Sequence, residues 1–204
     1  LARLGEHAAR LYEAVAEVSG CSVAVDSSKH ASYALLLSRQ RAIRLRVIHL
    51  VRDSRAVAFS WAKRHVAKPD AAAHPEVMDT YGASATALRW SYHNALCSMV
   101  RLRGVPSTTL AYEQLAAAPE PTLANALRDL GFGHGAGEER LASGAVQLAG
   151  AHTIGGNPMR FAGRAQTVRP DEAWRGGMSA QARARVTPLT WPLLVRYGYV
   201  PTHL

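Results

Sequence analysis

Cysteine is nearly missing: only Cys21 and Cys97 occur in 204 residues. They lie far apart, and neither has a second Cys or His at metal-ligand spacing, so no disulfide scaffold or structural zinc site is indicated. A reducing, cytoplasmic setting fits. Long apolar runs are missing too: the longest, such as Val47 to Val51, are strand-sized against the roughly 20 residues that span a bilayer, and a soluble protein is expected. There is no signal peptide, and the chain opens at Leu1 without Met, already inside a helical pattern, from which a missing natural N-terminus is expected. Acidic residues are short, 15 Asp and Glu against 24 Lys and Arg, for a formal net charge of +9. Such a field suits phosphate, sulfate, nucleic acid or acidic membranes, and charge alone does not choose among them. Lysine itself is scarce, with only Lys29, Lys63 and Lys68. The remaining cations are Arg, whose planar fork matches a phosphate or sulfate face in two-point contact. Coding bias also produces an Ala- and Arg-rich chain, so Arg outside motifs carries no weight by itself.

What is present is enough apolar residue, 48% of the chain, to bury one substantial core, and a single domain over residues 1–204 is expected. Leu1, Leu4, Ala8, Leu11, Tyr12, Val15 and Val18 recur at helical spacing and stop before Gly20, the pattern of an amphipathic helix with a glycine stop. A strand is predicted at Ser22 to Val25, with Asp26-Ser27-Ser28 capping a helix from about Lys29 to Gln40. A second strand is predicted at Leu45 to Val51, then a helix from about Ser54 to His65. Residues 68–79 read as a loop or flap. Further on come a long helix from Tyr81 to Leu102, a third strand from Thr108 to Ala111, and a helix from Pro121 to Leu130 ending at Gly131. The Gly-rich stretch 131–177 precedes a last helical segment, Ser179 to Tyr197, that Pro188 and Pro192 should kink or break. Strands alternating with helices predict an α/β protein, a parallel sheet flanked by helices with ligands at the carboxyl ends of its strands.

The segment richest in chemistry runs from Val47 to Arg64. Arg52 stands where a strand ends, Ser60 lies eight residues on in the next helix, and Arg64 is one further turn along. Ser60 and Arg64, at i and i+4, share a helix face and can grip an anion from the side while Arg52 approaches from the strand end. Taken singly, Arg52 and Ser60 are also what any strand end and polar-capped helix would show. His30, His49, His65, His93 and His152 are the candidate acids and bases, and none can be assigned as a general base. His49 alternates with apolar neighbours as a packed core histidine would.

Taken together, Val47 to Arg64 resembles the 3′-phosphate-binding motif of the sulfotransferases, in wording like that of the carbohydrate and tyrosylprotein branches and of bacterial relatives. Val25-Asp26-Ser27-Ser28-Lys29 resembles the strand-end segment where that family places a Lys near the sulfuryl group, without the usual following Pro. Leu110-Ala111-Tyr112-Glu113-Gln114-Leu115, then Pro119, resembles its Tyr-Glu-x-Leu segment, whose Tyr borders the nucleotide. Residues 152–161, with Trp174 and Tyr197-Gly198-Tyr199, look like the family's C-terminal part. The resemblance implies a P-loop NTPase-like fold lacking its first strand and 5′-phosphosulfate loop. It also implies 3′-phosphoadenosine 5′-phosphosulfate as co-substrate, with no metal. Arg52, Ser60, Arg64 and Tyr112 would hold the donor, with Asn157 and Arg160 closing on it from a loop at 155–164, and Lys29 would act at the sulfuryl group. The partners implied are the nucleotide donor and an unidentified small-molecule, glycan or peptide acceptor, with no nucleic acid.

Two other readings stay open. One is a P-loop kinase or NTPase without its N-terminal part, with Asp26 near magnesium; no Gly-x-x-x-x-Gly-Lys-Ser/Thr occurs to test it. The other is a basic nucleic-acid-binding module, against which the Arg residues are scattered without aromatic interleaving on one face.

Overall fold

The computed structural model describes residues 2–28, 30–63, 79–133, 145–147, 165–167 and 169–200. The expected flap at 68–79, Asp79 apart, and the expected closing loop at 155–164 lie outside these residues, as do Lys29, Arg64, Asn157 and Arg160.

The chain is α/β. In order come α1 (Ala2–Ser19), α2 (Ala31–Leu37), β1 (Val47–Val51), α3 (Ser54–Trp61), α4 (Ala83–Leu102) and β2 (Ser107–Ala111). They are followed by α5 (Tyr112–Ala117), α6 (Pro119–Asp129), β3 (Ala145–Gln147), β4 (Ala165–Thr167), α7 (Ala173–Gly177) and α8 (Ala180–Arg196). Strands β1 and β2 form a two-stranded parallel sheet. The N–H of Val47 donates to Pro106 O at 2.9 Å where the two begin. A parallel pair needs a long crossover, and α3 and α4 supply it. Strands β3 and β4 pair antiparallel, Val146 opposite Gln166. The described chain divides into two compact units, one of Leu1–His49 with Tyr92–Thr109, the other of Leu50–Ser91 with Leu110–Leu204.

In the first unit the predicted amphipathic helix forms as α1 and stops at Gly20, whose φ of 65° is the left-handed conformation that ends helices. It packs against α2. Gly5, Ala8 and Ala9 are buried, whereas Leu4, Leu11, Val15 and Val18 are exposed. Small residues allow the two helices to approach closely, and the larger apolar stripe is turned away from that contact. The strand expected at Ser22 to Val25 is not formed: residues 21–28 are irregular and Val25 is 92% exposed. A four-residue run with two β-branched residues makes a strand only when a ladder partner takes up its backbone groups. Nor do Asp26 and Ser28 cap α2. The N-cap is His30, with no side-chain cap bond, and the Asp26 carboxylate is used locally, accepting from the Ser28 N–H at 2.6 Å and from the Tyr12 hydroxyl. His49, expected in a packed core, is half-buried, in step with the inward positions Val47 and Val51 of β1.

The second unit holds the larger core. Helix α3 starts at Asp53, whose carboxylate accepts from the Arg55 N–H at 2.8 Å and satisfies one of the free donors of the first turn. Ala56 and Ala58 of α3 pack with Ala87, Trp174, Met178 and Val186, with Phe59 beside them. Gly177 lets α7 come onto Phe59, since a Cβ there would stand 2.7 Å from the ring's Cζ. Helix α8 runs through Pro188 and Pro192 without ending, so of the expected kink or break the break does not occur. Each proline removes one backbone hydrogen bond, but Val186, Thr190 and Leu194 are buried, α8 lies on α3, and this tertiary contact outweighs the two lost bonds. The Thr190 hydroxyl donates to Val186 O at 2.9 Å, so Ser54 is the donor in the buried 2.8 Å bond between the two hydroxyls. Gly198, at φ 76°, then reverses the chain: Gly198 N–H reaches Val195 O and Tyr199 N–H reaches Leu194 O, at 3.0 and 2.8 Å.

Candidate functional site

The site expected at the carboxyl end of β1 is built from Arg52 outward. The peptide of Arg52 is pinned by the Trp90 indole N–H, which donates to Arg52 O at 3.0 Å. Next to it, Asp53 is buried and takes the Arg55 guanidinium at 2.6 Å as well as the α3 cap bond. Arg55 lies over the Trp174 ring, 4.9 Å from its centroid, and also donates to Tyr199 O at 3.2 Å. The Arg52 side chain thus projects past a strand end whose backbone is tied by hydrogen bonds on both sides.

Its guanidinium stacks on the Tyr112 ring, 4.6 Å from the centroid, a cation–π arrangement that orients the fork. Tyr112 opens α5 directly after β2, so the neighbouring strand ends bring the two residues together. The following Glu113 braces both. One oxygen accepts from the Asp53 N–H at 3.3 Å, and the other from the Tyr199 hydroxyl at 2.7 Å, with Val51 O 3.1 Å from the same hydroxyl. Burial, and then the bond to Glu113, hold the Tyr199 phenol well above its ordinary range.

The nitrogen Nη2 of Arg52 donates to Asp171 Oδ2 at 2.9 Å and to Asp171 O at 3.2 Å. Its Nε is buried with no hydrogen-bond partner among the described residues. The bond from Arg52 holds the Asp171 carboxyl below the usual carboxylate range, and the Lys63 charge adds to this. Ser60 stands half-buried in the last turn of α3. Helix α3 ends at Trp61 with Ala62 as its cap, short of the expected end near His65, and Arg64, expected to share a helix face with Ser60, lies outside the described residues. Small residues and Gly177 hold α3 in place.

Sequence reasoning missed Asp171, Lys63, Trp90 and the Glu113–Tyr199 bond. Asp171 had one signal, an acidic pair after Pro170 in a basic chain. Its pairing with a residue 119 positions away has none. Of the candidate acids and bases, His30 and His93 are exposed, and His65 and His152 lie outside the described residues. Asp26 is the other perturbed carboxylate, held low chiefly by the Tyr12 hydroxyl. Among the described residues no three His, Cys, Asp or Glu side chains gather as a metal site would need. No helix among them is long and apolar enough to cross a membrane. No known family model, curated protein or solved structure matches the chain.

Proposed function

We propose that this chain belongs to a sulfotransferase of P-loop NTPase-like fold, which binds 3′-phosphoadenosine 5′-phosphosulfate and passes its sulfuryl group to an acceptor hydroxyl or amine. The observation that carries the reading is Arg52: a strand-end guanidinium oriented on Tyr112, with a buried Nε–H that lacks an acceptor among the described residues. A phosphate oxygen supplies one. Ser60, Arg64, Asn157 and Arg160 complete the donor set in this reading. In the reaction the sulfur–oxygen bond to the nucleotide's 5′-phosphate breaks as the acceptor's bond to sulfur forms. The acceptor gives up its proton, and adenosine 3′,5′-bisphosphate leaves. Lys29 serves by stabilising the charge that grows on the leaving oxygen.

Calorimetry with adenosine 3′,5′-bisphosphate tests it. Arg52→Ala should remove detectable binding, since a charge-assisted bond to phosphate is worth about 1.5–3 kcal/mol. An unchanged affinity in the folded variant would remove Arg52 from the site. Magnesium-dependent binding of a nucleoside triphosphate in preference to the bisphosphate would favour a kinase or NTPase instead.

A further inference from the structure

The geometry points to Asp171 as an internal counter-anion: its carboxylate occupies the place on Arg52 that an incoming phosphate takes, so that anion binding here is an exchange and Asp171 sets its strength. This rests on the reading of Arg52 as a phosphate ligand. Arg52 and Asp171 do not make the two-pronged pair that is frequent between a guanidinium and a carboxylate. A single nitrogen, Nη2, carries both contacts, to Oδ2 at 2.9 Å and to the Asp171 backbone oxygen at 3.2 Å, while the buried Nε–H is unmatched. A tetrahedral anion has an oxygen to spare for Nε, and a carboxylate held in this position does not reach it. The pair is also accessible, its side chains 21% and 37% exposed, and ion pairs that water reaches are weak enough to exchange. Asp171 has somewhere to go: its other oxygen already accepts from the Ala173 N–H at 3.2 Å, and Lys63 is close enough to lower its pKa.

Titrations of the wild-type chain, Asp171→Asn and Asp171→Glu with inorganic phosphate, adenosine 3′,5′-bisphosphate and adenosine 5′-monophosphate test the exchange. Asp171→Asn keeps an acceptor for Ala173 and removes the charge. It should bind inorganic phosphate and the bisphosphate about two- to fivefold more tightly, leave the monophosphate unchanged, and shift the Arg52 Nε–H resonance at lower phosphate concentration. Asp171→Glu, which keeps the charge, should stay near wild type. Tighter phosphate binding by Asp171→Asn with no preference for the bisphosphate would support the exchange and sink the nucleotide reading. Equal or weaker anion binding by a folded Asp171→Asn, with wild-type bisphosphate binding still lost in Arg52→Ala, would overturn the exchange and leave that reading standing. No anion binding by any variant overturns both.

Discussion

Around Arg52 the side chains divide into those that fix the backbone and those that face outward. Asp53, Arg55, Trp90, Glu113 and Tyr199 belong to the first group, and Tyr199 offers a pH test of it. Its phenol is held above the ordinary value of 10. The unfolded chain therefore loses that proton first, and the stability tied to the neutral phenol is complete below about pH 10 and lost as pH rises past it. In urea titrations Tyr199→Phe should cost about 1 kcal/mol at neutral pH and should flatten the loss of stability between about pH 9 and 11. An equally steep alkaline loss in the variant would assign it to other groups. Arg52 and Tyr112 were legible in the sequence because strand ends and the short motifs after them are local patterns. Asp171 was not, because an ion pair spanning 119 residues leaves no mark on the residues beside it.

Helices were read well where an apolar period and a terminator coincide, as at α1 with Gly20 and α6 with Gly131. Errors fell where tertiary contact decides. Residues 22–25 have the composition of a strand and no ladder, while α8 has two prolines and enough buried surface to hold its course. Helix α3 shows how much one cap contributes. Asp53→Ala removes the acceptor of the first turn and leaves Arg55, 16% exposed, without its carboxylate. A loss of about 2–4 kcal/mol is expected in chemical denaturation. Asp53→Asn keeps the cap and should lose less, and equal losses in the two variants would place the whole effect in the ion pair.

Over the whole molecule, stability should be uneven, because α1 buries only Gly5, Ala8 and Ala9, whereas α3 and α8 share an apolar core. Amide hydrogen exchange in α1 should be faster than in the centre of α8, since local opening there exposes little new apolar surface. Matching protection would mean that the two open together. The Ser54–Thr190 bond, closed across 136 residues, bears on how the chain is made. At ribosomal rates of about 5–20 residues per second, α3 waits roughly 7–27 s before Thr190 exists. Through that interval Ala56, Ala58 and Phe59 have no α8 to cover them, and strand ends that will carry Arg52 have no Tyr199 to brace them. A nascent chain stalled short of Val186 should therefore be held by chaperones or aggregate, and one released after Tyr199 should be the first length able to keep Arg52 in place.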